Sequence, residues 1–225
     1  MSTYVPSTIE CRCGTRYPAE VANGLHISLR PDVRQQIMDG TFHRFFCPSC
    51  GMTTQVETVI AFSDFPRRQW FLIAPDADLP RRAYYIGVAE ESFRKTMVEN
   101  APPMVVEWGK EMTRRVMFGL AALREKLVIS DAGLDDRVVE LLKIQLCRDV
   151  FRDFEPVYFH LAEVTADELV FERAHRDDVI RKAPVPRAMY DDLAGAPELA
   201  AAIAQAFPDQ LVIDHRAILA PTMEA

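Results

Sequence analysis

Two pairs of closely spaced cysteines constrain this chain more than any other feature of its sequence. The first pair lies in the run CRCG at 11–14, and the second lies in CPSCG at 47–51. A glycine after a cysteine pair permits the backbone conformation that points amide N–H groups at sulfur. Structural zinc sites need four sulfur or nitrogen donors in a tetrahedron, and two such turns can supply them. We therefore predict one structural Zn²⁺ per chain, held by Cys11, Cys13, Cys47 and Cys50.

The cellular compartment bears on how these cysteines are used. Residues 1–10 lack the basic start and apolar core of a secretory signal, and no apolar run approaches the ~18 residues of a membrane span. We expect a cytoplasmic protein without membrane association, in which thiols stay reduced. Two alternatives stay open. One is a redox pair at Cys47 and Cys50, which would need a helix where a strand is predicted at 52–58; the other is a ribbon that has lost its metal.

The chain is long enough to form one large domain or two small ones. It has 225 residues, of which 49% are hydrophobic and 26% are charged, so it can bury a core without disulfides. Its net charge of −7 is unevenly spread. Residues 1–76 carry seven Arg and seven acidic residues, whereas 77–225 carry 19 basic and 26 acidic ones. Because a phosphate backbone attracts positive surfaces, this balance argues against autonomous nucleic-acid binding.

Apolar periodicity and turn residues predict an α+β fold. Around the cysteine pairs we expect strands at 17–23, 42–46, 53–62 and 69–74. A helix is expected at 29–38, because Pro31 lies near its start and Gly40 follows its end. These elements describe an N-terminal zinc ribbon with an inserted helix. A stretch rich in proline and charge at 75–82 is expected to be a linker.

The remaining residues are predicted to form helices and short strands. Apolar positions three and four residues apart predict a helical hairpin at 120–130 and 135–151. Alternation around a turn at 165–168 predicts a β-hairpin at 157–164 and 169–174. A small antiparallel sheet with a helix therefore follows the helical hairpin. Further helices are expected at 84–100, 186–193 and 198–207, and further strands at 104–108, 114–118, 179–185 and 211–213.

Longer stretches around the cysteines carry a family resemblance. The runs TIECRCGTRYPAEV, DGTFHRFFCPSCGMTTQVETVIAFSD and FLIAPD resemble the CpXC domain, a bacterial and archaeal zinc-ribbon-like domain of poorly defined function. LREKLVISDAGLDDRVVELLK at 123–143 is similar to the segment that often follows it. The resemblance implies a metal-bound scaffold and no reaction. We divide the chain accordingly into a CpXC-like zinc-ribbon domain at 1–118, with its ribbon core at 9–75, and a C-terminal α+β region at 119–225.

The first half of the motif departs from the family pattern. Each half of a CpXC domain normally reads Cys-Pro-x-Cys-Gly, which the run at 47–51 matches. In the first half, Cys13 and the following glycine match the end of the pattern, but Glu10 stands where the other thiol would fall and Cys11 is displaced by one residue. His26 and His43 lie between the two pairs. These two histidines and Glu10 are therefore alternative ligands to Cys11.

No standard catalytic pattern occurs in the sequence. It has no glycine-rich phosphate-binding loop, no HExxH motif and no GxSxG motif. Cys147 lies on a predicted apolar helix and is expected to be a buried core thiol. Asp214 and His215 are neighbours beside a predicted strand, where adjacent side chains point to opposite faces. We therefore predict that the protein is not an enzyme.

Aromatic residues are dense beside the ribbon, and arginine pairs flank them. The aromatics can form the ribbon core, or they can expose an apolar patch to a protein partner. Arg67-Arg68 and Arg81-Arg82 would then form a polar rim. The aromatic stripe comprises Phe42, Phe45, Phe46, Phe62, Phe65, Trp70 and Phe71.

The sequence as a whole favours a non-enzymatic, zinc-stabilised interaction module, an adaptor or regulator that binds another protein. One alternative is a zinc ribbon that binds nucleic acid or the transcription machinery, which rests on analogy between folds. Another is a small enzyme with its site in the C-terminal half, where His160, His175 or His215 would meet carboxylates. The sequence leaves a homo-oligomer open.

Overall fold

A long antiparallel hairpin carries the first cysteine pair in its turn. In the computed structural model, which describes residues 2–149, 159–173 and 181–219, the hairpin consists of β1 (Thr3–Glu10) and β2 (Arg16–His26). The two strands are paired up to the turn, where Glu10 lies opposite Arg16. Strand β2 contains the predicted strand at 17–23, whereas β1 was not predicted.

A short hairpin carries the second cysteine pair. Helix α1 (Pro31–Met38) lies between the two hairpins, begins at a proline that needs no backbone N–H partner, and buries Val33 and Ile37. The second hairpin is formed by β3 (Arg44–Phe46) and β4 (Thr53–Gln55). Each cysteine pair thus lies in the turn of a hairpin, and α1 is the helix expected between them.

The first hairpin joins a five-stranded mixed sheet with β5 (Ile60–Asp64), β6 (Gln69–Ala74) and β7 (Thr113–Phe118). The strand order is β1-β2-β5-β6-β7; β2–β5 and β6–β7 are parallel, and the other neighbours are antiparallel. The single strand predicted at 53–62 is wrong, because β4 and β5 belong to different sheets. Glu57 lies between these two strands, and its carboxylate accepts the N–H groups of Asp76 and Leu120.

Helices cover the sheet after β6. Helix α2 (Arg82–Arg94) continues into a π-helical turn, Lys95–Glu99, and packs Phe93 edge-on against Trp70 with the ring centroids 5.4 Å apart. Two predictions are wrong here. Residues 104–108 lie in a helix, α3 (Pro103–Lys110), because a proline at its first position starts a helical turn despite the β-branched residues that follow. The expected linker at 75–82 contains a 3₁₀-helix, Asp76–Arg81, that buries Leu79.

The second part of the chain has a sheet of its own. Strand β9 (Glu168–Arg173) is its central strand, and both of its neighbours are antiparallel to it. The strand predicted at 211–213 is wrong, because side chains rather than a neighbouring strand bond its backbone. Parts of the predicted strands at 157–164, 169–174 and 179–185 lie outside the described residues. The elements are α4 (Leu120–Asp131), α5 (Asp136–Asp149), β8 (Phe159–Val164), β9 (Glu168–Arg173), β10 (Arg181–Pro186), α6 (Arg187–Ala194), α7 (Leu199–Ala206) and α8 (His215–Leu219).

The chain separates into two compact units, Met1–Leu120 and Ala121–Ala225. The part that the structure describes holds eight α-helices and three sheets, which confirms the predicted α+β class. Among these described helices, none has the length and apolar character that crossing a bilayer requires. Each unit has its own polar cluster, four cysteines in the first and a group of buried charges in the second.

Candidate metal centre

The two hairpin turns bring four sulfur atoms together. Cys11 Sγ lies 3.6 Å from Cys50 Sγ, and Cys13 Sγ lies 3.7 Å from Cys47 Sγ. All four sulfurs are within 4.8 Å of one another. A disulfide would need about 2.05 Å, whereas four sulfurs around a zinc ion at about 2.3 Å lie roughly 3.8 Å apart. The geometry therefore suits a tetrahedral metal ion.

Backbone hydrogen bonds explain how two turns of different length can place their cysteine sulfurs in similar positions. The first turn is closed by Cys11 N–H donating to Thr15 O at 2.9 Å, and the second by Cys47 N–H donating to Met52 O at 2.9 Å. The first turn is thus one residue shorter, which compensates for the missing residue of its Cys-x-Cys run. Gly14 and Gly51 end the two runs at φ +85° and +72°, in the left-handed region where glycine is favoured.

Amide groups around the sulfurs lower their pKa values, and burial opposes this effect. The Thr15 side chain and backbone N–H lower the pKa of Cys13 to about 6. Burial would raise the pKa of Cys47, but backbone hydrogen bonds from Cys50 and Ser49 lower it overall. The Met52 N–H lowers the pKa of Cys50, yet burial and the other thiols raise it to about 12. Four thiols packed this closely resist full ionisation, and a divalent cation at their centre favours it.

The cluster is buried on one side and open on the other. Cys11 and Cys47 are buried, and they pack with Ile9 and Tyr17 in a small apolar cluster. Cys13 and Cys50 are exposed. The buried pair fixes the site to the β-hairpin core, while the exposed pair gives solvent access to two of the four sulfurs.

The alternative ligands are engaged elsewhere. His43 accepts the Ala22 N–H at Nε2 (2.8 Å) and contacts Val56 O through Nδ1 (3.2 Å), so its ring fastens the second hairpin to β2. His26 Nδ1 lies near Ser28 and Ser63 hydroxyls, and exposed Glu10 faces Arg16 at 3.9 Å. Among the described residues, the four cysteines form a group that could hold a metal ion without these three.

Most of the aromatic stripe forms core, with one exception. Phe42, Phe62, Trp70 and Phe71 are buried, whereas Phe46 is 73% exposed. Phe46 alternates with the half-buried Phe45 along β3, so it points away from the cysteine cluster. The core interpretation therefore holds for much of the stripe, and Phe46 stands out as an exposed aromatic beside a cysteine pair.

Arg67 and Arg68, two of the arginines expected around this stripe, are engaged with acids and a ring. Arg67 pairs with Asp64 at 3.1 Å, and Arg68 pairs with Glu111 at 3.4 Å. Arg68 also lies over the Trp108 ring at 5.1 Å. These contacts offset the positive charge that a phosphate backbone would need.

A cluster of buried charges occupies the second unit. Lys143 Nζ bridges the carboxylates of Glu125 (2.9 Å to both oxygens) and Glu140 (3.0 Å). Lys126 Nζ lies 3.4 Å from Glu140, and half-buried Asp136 and His160 lie at the margin of the cluster. We call the following buried residues the charged cluster: Glu125, Lys126, Glu140, Lys143, Asp214, His215 and Arg216.

Lysine and arginine partners dominate the electrostatics of this cluster. Burial would raise the pKa of Glu140, but Lys143 and Lys126 hold it well below its ordinary value. Arg216 lowers the pKa of Asp214 against burial in the same way. Glu140, Asp214 and His215 lie close enough to share an ion. Because Lys143 and Arg216 already occupy the carboxylate oxygens, these contacts favour an ionic core over a metal site.

The candidate histidines of the C-terminal half meet carboxylates. His215 Nδ1 lies 2.9 Å from Glu140 Oε2, and His160 Nδ1 lies 3.4 Å from Glu125 Oε2. The expectation that Asp214 and His215 face opposite sides of a strand is wrong, because Asp214 precedes α8 and both residues join the charged cluster. His175 lies outside the described residues. Cys147 is half-buried rather than fully buried.

Sequence reasoning missed several residues. Thr15 supports Cys13, and Glu57 bonds two backbone segments of the sheet. The charged cluster was missed because its members come from α4, α5 and the residues around 214. The one available signal was the acid and base at Glu140 and Lys143, three residues apart in the family-like run on a predicted helix.

The fold and the sulfur geometry define the general class of this protein. It is an α+β protein with a four-cysteine module that can hold a metal ion. The family model described as CpXC protein matches residues 9–143, which is more than half of the chain, and the chain therefore belongs to the CpXC protein family. The match includes all four clustered cysteines and extends into α5. No curated protein and no solved structure matches the chain.

Proposed function

We propose that this CpXC protein is a cytoplasmic, non-enzymatic, zinc-stabilised module that binds another protein. The observation that carries the proposal is the convergence of four cysteine sulfurs from two hairpin turns, with cross-hairpin separations of 3.6 and 3.7 Å. Cys11, Cys13, Cys47 and Cys50 would hold the ion. Thiolates at this spacing are the donor set of structural zinc, and reduced thiols are the normal state in the cytoplasm.

Bound zinc would supply a positive charge and a fixed tetrahedral crosslink. The chain's own residues join the two hairpins and stabilise the sulfurs as anions. Cys13 and Cys47 join the two hairpins across 34 positions of sequence, and the Thr15 and Ser49 amide groups help to stabilise sulfur in its anionic form. A four-thiolate site leaves no coordination position for substrate, which supports a scaffold rather than a catalytic metal.

An exposed apolar surface beside this scaffold supports protein binding. Phe46 is 73% exposed and Met52 is 43% exposed, and they flank the Cys47–Cys50 turn. Aromatic and methionine side chains are enriched at protein interfaces. Because Cys47 directly follows Phe46, loss of the metal would disturb this surface.

Metal stoichiometry of the full chain, purified without chelator or affinity metal, tests the scaffold. We expect about one zinc per chain, and none after Cys47→Ser and Cys50→Ser are combined. Absence of zinc from the native protein, with thiols that oxidise readily, would contradict the proposal and favour the redox alternative.

A photo-crosslinking residue at position 46 tests the interaction in cells that produce the protein. We expect discrete protein adducts that disappear in the Cys47→Ser/Cys50→Ser variant. The control places the same crosslinker at Leu29, which is 64% exposed and lies outside the hairpin turns. Equal adducts at both positions, or nucleic-acid adducts at position 46, would overturn the protein-binding proposal.

A further inference from the structure

A buried stretch of the second unit has no strand or helix to bond its backbone. Residues 211–214 belong to neither, yet Val212, Ile213 and Asp214 are buried. Buried backbone N–H and C=O groups need hydrogen-bond partners. In this stretch side chains supply several of them: Lys126 bonds Ile213 O, and Asp209 accepts the N–H groups of Leu211 and Val212.

Helices α4 and α5 bond the backbone of this stretch directly. Lys126 Nζ on α4 donates to Ile213 O at 2.9 Å. Glu140 on α5 accepts the N–H of His215, the first residue of α8, at Oε2, also at 2.9 Å. These contacts recognise a C=O group and the N–H group that begins the next helix, independent of side-chain identity. Peptide-binding grooves also use main-chain contacts.

Side-chain contacts add specificity to this main-chain recognition. Ile213 packs in an apolar cluster with Ile144 of α5, Ile203 of α7 and Phe207. His215 Nδ1 lies 2.9 Å from Glu140 Oε2, the oxygen that also accepts its backbone N–H. An aliphatic side chain and, two residues later, a histidine are therefore both recognised.

The charged side chains of α4 and α5 would still have oppositely charged partners if residues 211–216 moved away. Lys126 lies 3.2 Å from Asp136, and Lys143 contacts Glu125 and Glu140. Asp214 pairs with Arg216 of the same stretch at 2.7 Å, so these two charges would leave together. Separation would thus leave no buried charge without an opposite charge, which removes the largest penalty for exchange.

We propose that α4 and α5 form a peptide-binding site that this chain fills with its own 211–216 segment. The ligand class is a peptide with an aliphatic residue at the position of Ile213 and, two residues later, a histidine that begins a helical turn. Such a segment in another protein would compete with the chain's own. The inference goes beyond the zinc-stabilised module, because none of its residues belongs to the cysteine hairpins, and either proposal can fail without the other.

Hydrogen exchange of the full-length native chain, read by mass spectrometry, is the first test. The 211–216 amides should exchange at least tenfold faster than those in the middle of α5, through an opening that leaves α5 protected. If 211–216 exchanges only together with α5, the segment is an inseparable part of the core and the proposal is wrong. This measurement needs no variant.

Binding in trans is the second test. A fluorescein-labelled synthetic peptide, DQLVIDHRAIL (209–219), is titrated into full-length Ile213→Ser protein, whose own segment is weakened. We expect saturable binding at least tenfold tighter than to the native chain, and none with a peptide carrying the same Ile→Ser change. Absence of saturable binding while hydrogen exchange shows α5 folded, or loss of α5 protection in the variant, would overturn the proposal.

Discussion

The cysteine cluster and the charged cluster both place polar groups inside the protein, but they balance charge differently. The first gathers four sulfurs of one kind, whose ionised forms repel one another and would be stabilised by a divalent cation. The second carries its own cations. Including Asp136 at its margin, each carboxylate of the charged cluster has a cationic nitrogen within 3.2 Å. The stability of the first unit should therefore depend on whether the solution supplies a divalent cation. The stability of the second unit should depend on whether all of its own charged residues are present.

The two clusters also differ in how locally they are encoded. Cys11 and Cys13 share one turn, and Cys47 and Cys50 share another, so two short motifs specify the cysteine cluster. Lys143 of α5 contacts Glu125 of α4, and His215 is 75 positions from its partner Glu140. One missing cysteine therefore removes one of four sulfurs that could hold an ion, whereas one missing lysine removes a positive charge from buried carboxylates.

Removing two cysteines should have the largest effect. The combined change Cys47→Ser and Cys50→Ser should abolish zinc binding and unfold the hairpin region, because structural zinc contributes ~10–16 kcal/mol of apparent binding free energy in small modules. Elemental analysis measures the metal, and fluorescence of Trp70 and Trp108, the two tryptophans of the chain, reports the first unit. A chelator should disrupt residues 1–76 first. Cys147→Ser is the control and should keep its zinc; loss of zinc in this control would contradict the assignment.

Removing the bridging cation should most affect the second unit. Lys143→Met leaves Glu125 and Glu140 buried without their shared cation and should cost about 3–5 kcal/mol in the free energy of unfolding. Hydrogen exchange in α5 measures this cost. Lys110→Met is the matched control: Lys110 is exposed and pairs with exposed Glu107, so the change should stay within about 1 kcal/mol. Equal effects of the two changes would show that the charged cluster contributes no special stability.

As the pH falls, the first unit should lose stability at a higher pH than the second unit. Burial lowers the pKa of His43, whose neutral ring accepts the Ala22 N–H, so stability from His43 is present above about pH 6.5 and lost as pH falls. In the charged cluster, the lowered pKa values of Glu125, Glu140 and Asp214 preserve stability until pH falls below about 4.

Urea unfolding at pH 7, 5.5 and 3.5 checks this order, with tryptophan fluorescence reporting the first unit and hydrogen exchange reporting the second. The His43→Asn variant distinguishes titration of the imidazole from acid release of zinc, because it removes only the imidazole. Asparagine tolerates the φ of +56° at this position. An unchanged pH dependence in that variant would exclude His43 as the titrating group.

A backbone change at the second cysteine turn should have the smallest effect. Gly51→Ala places a Cβ at φ +72° and should cost about 1–2 kcal/mol, although no atom lies within 4 Å of that Cβ. Gly87→Ala in α2, where the added Cβ also meets nothing, should stabilise the first unit by about 0.5–1 kcal/mol. Thermal unfolding followed by tryptophan fluorescence should show opposite signs; a shared sign would contradict the conformational explanation.

Sequence reasoning reached the features that short motifs encode. The cysteine spacing predicted the sulfur convergence, and glycine and proline positions predicted α1. The same reasoning missed β1, whose run TYVPSTIE has little apolar alternation and gains its order by pairing with β2. It predicted a strand at 104–108 from Val105 and Val106, although these lie in a helix. The charged cluster was inaccessible, because its partners meet only after distant elements pack.

The separation of the cysteines along the chain has a consequence for biosynthesis. Cys13 leaves the ribosome 34 residues before Cys47, which at ordinary translation rates is an interval of about 2–7 s. During that time the first turn presents two thiols without their second pair. Helix α1 and β3 must emerge before the donor set is complete, and β5 pairs in parallel with β2 later still. Newly made protein therefore passes through a stage in which the first two thiols are exposed to cellular oxidants and metal ions before the other two thiols exist.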